Sequence, residues 1–68
     1  MIDEKARNPR LDPRPGDVLR VGDETRTVEG LYNYGLEWHS ATHHSICSRT
    51  TWRRWARTAE VLVEGVEW

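Results

Sequence analysis

The chain contains no phenylalanine, one methionine and a single cysteine, and lysine is almost missing: one residue against nine arginines. A lone cysteine cannot close an intrachain disulfide, which sets aside the disulfide-stapled secreted scaffolds. A membrane-spanning helix needs roughly 20 consecutive apolar residues, and no such run occurs. The opening stretch MIDEKARNPR also lacks the apolar region of a signal peptide. These absences leave a soluble, cytoplasmic protein as the expectation. The arginine bias suits bidentate contacts to carboxylate or phosphate, although genome base composition can produce the same bias.

What is present is small and polar. At 68 residues, 37% hydrophobic and 31% charged, the chain makes one domain near the lower limit for folding without staples. Four tryptophans and two tyrosines stand in for the missing phenylalanines. Large aromatic side chains bury much area each, so Trp38, Trp52 and Trp55 are the candidate core centre.

The formal net charge is -1, but its distribution is uneven. Residues 1–14 carry +1, residues 15–44 carry -3, residues 45–58 carry +4 and residues 59–68 carry -3. An arginine block inside an acidic chain is a candidate binding footprint. The plain alternative is a solvated helix face balanced by neighbouring strands.

Residues 1–14 are polar, with Pro9 and Pro13 followed by Pro15. Prolines remove backbone donors and push their predecessors toward extended conformations. This segment therefore reads as an extended or disordered tail, anchored at most by Ile2 and Leu11, with the folded unit spanning 15–68. DVLRV (17–21) reads as a strand, and Gly22-Asp23-Glu24 as a tight turn. TRTVEGLYN (25–33) follows; its apolar parity changes between Val28 and Leu31, which predicts a bulge or bend at Gly30. Asn33-Tyr34-Gly35 reads as a turn and LEWHSAT (36–42) as an alternating strand, with Leu36 and Trp38 on one face and Glu37 and His39 on the other. His43-His44-Ser45 is expected as a turn before a short strand SICS (45–48).

The period then changes. Trp52, Trp55, Ala56 and Ala59 fall at i, i+3, i+4 and i+7, one stripe of a helix, and Ser48, Thr50 or Thr51 can cap its start. AEVLVEG (59–65) returns to strand character. Five short strands with one helical turn before the last predict a mainly β fold, an SH3-like barrel. A split sheet with one helix across it is the competing architecture.

The stretch DPRPGDVLRV, a cysteine, then WRRWA and AEV resembles a set of small proteins encoded in phages and prophages. The resemblance runs from about Asp12 to Val63 and implies a phage accessory protein; it implies no mechanism. PGDVLRV also resembles the first strand of SH3-like and KOW-type barrels.

His39, His43, His44 and Cys47 are all of zinc-binding type, but their spacing matches no familiar finger or ribbon. Adjacent histidines on a strand point to opposite faces, and a free cysteine usually behaves as a small apolar side chain. No metal and no cofactor are expected. A Cys–His pair needs a third orienting group and a pocket of some 300 Å³ or more, so the chain is not expected to be an enzyme. With the tryptophan stripe turned inward, Arg49, Arg53, Arg54 and Arg57 fan over the flank and outer surface of the helix. Arg49, Arg53 and Arg57 follow one another at i+4 steps, which is mildly unfavourable unless an anion offsets it. Glu60, Glu64 and Glu67 could do so internally, Arg57 being close to Glu60.

A protein partner is the expected ligand, bound by Arg49, Arg53, Arg54 and Arg57 with Tyr32 and Tyr34 as adjoining contacts, since Trp, Tyr and Arg dominate interface energetics. The alternative is a nucleic-acid-binding module with the same arginines on phosphates and the tyrosines as stacking platforms. A homodimer through Trp68 is a third reading.

Overall fold

A computed structural model describes residues 7–65; the proposed contact of Trp68 and the carboxylate of Glu67 lie outside the described residues. Five strands and one helix follow in order: β1 (Val18–Val21), β2 (Glu24–Tyr32), β3 (Gly35–His39), β4 (His44–Cys47), α1 (Arg49–Ala56) and β5 (Glu60–Val63). The mainly β class and the helix before the last strand agree with the sequence reading.

The strands form one antiparallel sheet of order β4-β3-β2-β1-β5. β4 and β5 are its two edges and no ladder joins them, so the sheet is open and does not close into a barrel. The core face that closure would cover is instead covered by α1, whose Trp52 and Ala56 are buried, and by residues 7–14, whose Pro9 and Pro13 are buried.

Turn chemistry sets the strand ends. Gly22 has φ +60° at the first central position of the two-residue β1–β2 loop, the position where a II′ hairpin turn requires glycine. Gly35 has φ +152°, and a Cβ there would stand 2.1 Å from the Cys47 carbonyl oxygen. Only glycine lets β3 begin so close to the end of β4. The register of β2 on β3 shifts between Val28 and Gly30, the bulge predicted from the change of parity. It lets Val28 and Leu31 both face the core side. β3 is shorter than expected, and the turn runs over Ser40–His43, where the Ser40 amide donates to the His43 carbonyl at 2.7 Å. His44 and Ser45 therefore belong to β4 and not to a turn.

Leu19, Val28, Leu36, Trp38, Trp52, Ala56 and Ala59 form the buried cluster, with Val21, Leu31, Cys47, Trp55 and Val61 packed against it. Trp55, expected at the centre, is only half-buried. The Arg26 guanidinium carbon lies 3.9 Å from the Trp38 ring centroid and 4.2 Å from that of Trp55. A cation thus closes this end of the core by stacking against two indoles.

Candidate functional site

The helix starts at Ser48, whose Oγ accepts from the Thr51 amide at 3.1 Å, satisfying one of the free donors of the first turn. Its inward stripe holds Trp52 and Ala56 against the sheet. The remaining positions go outward: Arg49 is half-buried, and Arg53, Arg54 and Arg57 are exposed. Arg53 and Arg54 fall in the last turn, where a positive charge meets the negative end of the helix dipole.

No ion pair joins these four arginines to a carboxylate among the described residues. The internal neutralisation through Glu60 does not form; Glu60 pairs with Arg20, across the β1–β5 ladder, at 2.5 Å. Arg53 makes one contact. Its Nε donates to the Leu11 carbonyl at 2.8 Å.

That contact introduces a segment that sequence reading left out of the site. Residues 8–12 make a turn, with the Leu11 and Asp12 amides donating to the Asn8 carbonyl, and lie along α1. The buried Trp52 Nε1 donates to the Pro9 carbonyl at 3.1 Å. Arg10 Nε donates to the Ala59 carbonyl at 2.7 Å, just beyond the helix. Arg10 therefore joins the arginine surface, and no local pattern marks it, because its partner is 49 residues away.

Tyr32 and Tyr34 are exposed and stack in parallel, with ring centroids 5.2 Å apart and planes at 4°. Tyr32 Oη donates to Glu37 Oε1 at 2.8 Å, and the other Glu37 oxygen meets His44 Nε2. Glu37 alternates with the buried Leu36 and Trp38, so this cluster lies on the sheet face turned away from the helix. Tyr32 therefore lies on the sheet face opposite α1, whereas Tyr34 is in the β2–β3 turn beside Gly35, whose backbone packs against Cys47 and Ser48 at the start of the helix. The tyrosine hydrogen bond, then His44, holds the Glu37 carboxyl below its ordinary value. The same carboxylate pushes the Tyr32 hydroxyl up.

The histidines and the cysteine are likewise apart. His39 pairs with Glu29, His43 Nδ1 meets Thr42 Oγ1 at 2.9 Å, and His44 pairs with Glu37. Cys47, opposite Leu36 in the ladder, packs against the core. Among the described residues no three His, Cys, Asp or Glu side chains are placed to hold a metal ion. Burial pushes the Cys47 thiol up from its ordinary range, against the Trp38 indole N–H and the Arg26 guanidinium, which favour the thiolate. The Trp38 Nε1 itself makes no full hydrogen bond.

A concavity of about 520 Å³ between the β1–β2 and β3–β4 turns is lined by residues that include Asp23, Thr25, Ser40 and Thr42, and it opens widely to solvent. Its Ser40 hydroxyl oxygen already accepts the amides of Thr42 and His43 at 3.4 and 3.1 Å.

No protein-family model, curated protein or solved structure matches this chain.

Proposed function

We propose that the chain is a small non-enzymatic binding module that recognises an acidic surface on a partner protein through Arg49, Arg53, Arg54 and Arg57. In this reading it is a cytoplasmic phage or prophage accessory protein acting on a host factor, the setting implied by its PGDV and WRRWA segments. The open meander with its helix between β4 and β5 is then an SH3-like architecture with one seam unpaired. The observation that carries the proposal is the arginine helix: three cations on one short element and a fourth, Arg57, at its C-cap, without a carboxylate partner among the described residues. Like charges at i+4 spacing cost a few tenths of a kcal/mol per pair (~0.2–0.5), and an external anion relieves that cost.

A protein partner is favoured over nucleic acid by where the aromatics lie. Single-stranded nucleic acid is held by base stacking beside the basic groove. Here Trp52 is buried, Trp55 faces Arg26, and Tyr32 lies on the other face of the sheet with Tyr34 stacked on it.

The test is fluorescence anisotropy with a labelled oligoglutamate peptide and with mixed-sequence DNA of the same charge, each at two salt concentrations. Binding of the peptide that falls about tenfold or more in the protein with all four arginines changed to glutamine is the expected result. DNA bound much more tightly than the peptide would establish the nucleic-acid alternative. Peptide binding indifferent to the four substitutions would overturn the arginine surface altogether.

A further inference from the structure

The arginines of this surface differ in how they are held. Arg53 and Arg10 each spend Nε on a main-chain carbonyl, Leu11 at 2.8 Å and Ala59 at 2.7 Å. Arg49, Arg54 and Arg57 make no hydrogen bond to any described residue. A guanidinium presents five N–H donors in a rigid planar fork. When Nε is bonded to the protein, the side chain is fixed in position, and the terminal nitrogens at the far edge of the plane remain to meet a ligand. Among the described residues Arg53 donates nothing from its Nη atoms, and those of Arg10 make one long contact, from Nη1 to Asn8 Oδ1 at 3.5 Å.

The segment that fixes them is itself tied down. The Pro9 carbonyl accepts from the buried Trp52 indole. Arg7 makes a forked contact to the fully buried Asp17, at 2.6 and 3.0 Å. Arg10 and the Leu11 carbonyl are thus presented by an anchored strap against the helix.

Resting on the arginine-surface reading above, we infer that Arg10 and Arg53, in the seam between residues 8–12 and α1, form a preorganised receptor for the carboxylates of an acidic peptide, with Arg49, Arg54 and Arg57 supplying unspecific attraction around it. Ordering a long flexible side chain on binding costs free energy. Two forks already ordered by main-chain carbonyls avoid most of that cost. Lysine is a poor replacement, because its three donors sit on one nitrogen and, with the carbonyl bonded, leave no planar two-nitrogen edge for a bidentate carboxylate contact.

Four charge-conserving variants test this: Arg10→Lys, Arg53→Lys, Arg54→Lys and Arg57→Lys. Binding of labelled oligoglutamate is measured by anisotropy on each, with a urea midpoint to establish that each is folded. The first two are expected to weaken binding about fivefold each, the equivalent of one net hydrogen bond, and the last two by less than about twofold. Four variants that bind alike would overturn the receptor while leaving the basic surface intact. Failure of the unsubstituted protein to bind the peptide would remove both. A second readout needs no variant. In the ¹⁵N spectrum of the free protein, the Nε–H groups of Arg10 and Arg53 are expected to exchange with solvent more slowly than those of Arg54 and Arg57, and equal exchange rates would also overturn the inference.

Discussion

At the residue scale, the clearest coupling is between Tyr32, Glu37 and His44 on the exposed face of the sheet. One carboxylate accepts from a phenol and from an imidazole, and the two acids shift in opposite directions. Glu37 is lowered, so its contribution to stability is present above its ordinary 4.5 and is lost as the pH falls through the lower folded value. Tyr32 is raised, so its contribution is present below its ordinary 10.0 and is lost as the pH rises through the higher folded value. Ultraviolet titration should show Tyr32 ionising above its ordinary 10.0, and Glu37→Gln should return it toward that value. A tyrosine titration curve unchanged by Glu37→Gln would contradict the contact. The alternation Leu36-Glu37-Trp38-His39 made the face of Glu37 legible beforehand. That Tyr32 would reach it was not, because their approach depends on where the β2 bulge falls.

At the element scale, α1 is an eight-residue helix with no acidic residue in its first turn. Isolated helices of that length are marginal in water, so its stability comes from packing and from Ser48. Ser48→Ala should destabilise the domain by about 1 kcal/mol, read as a lower urea midpoint with unchanged slope, while Thr50→Ala should be near neutral. The stripe of Trp52, Ala56 and Ala59 could be read directly, since helical periodicity is a property of neighbours in sequence. The roles of its members could not. Trp52 is sealed beneath the strap and bonded to Pro9, whereas Trp55 ends at the rim with Arg26 across it. The same limit explains Glu60, which lies three residues from Arg57 but pairs with Arg20, brought opposite it by the β1–β5 ladder.

At the scale of the whole molecule, Asp17 joins both ends of the described chain. Its carboxylate accepts from Arg7, from the Arg14 amide at 2.7 Å and from the Gly65 amide at 2.6 Å, with no exposure to solvent. Each lone pair that burial strips of water has been given a donor. Gly65 is required there by space as well, because a Cβ would stand 2.1 Å from the Pro15 carbonyl oxygen. Removing the carboxylate leaves the Arg14 and Gly65 amides without their acceptor, at about 1–3 kcal/mol each, against a total of about 5 kcal/mol for so small a core. Asp17→Ala should therefore leave much of the protein unfolded at room temperature by circular dichroism. A variant with an unaltered melting curve would show that the two ends are held by other contacts.

What the sequence by itself determined is local. The strand and helix segments, the glycine turns, the bulge before Leu31 and the outward direction of the helix arginines all follow from periodicity and backbone sterics, which act over a few residues. The tertiary structure alone decided the rest: that β4 and β5 stay apart, that Tyr32 lies on the sheet face turned away from the helix, and that residues 8–12 pack along α1. Those outcomes depend on contacts such as Arg10 with Ala59, Trp52 with Pro9 and Asp17 with Gly65, each spanning more than forty residues. Such pairings are selected by burial and hydrogen-bond satisfaction across the whole fold, and no short window of sequence contains both partners.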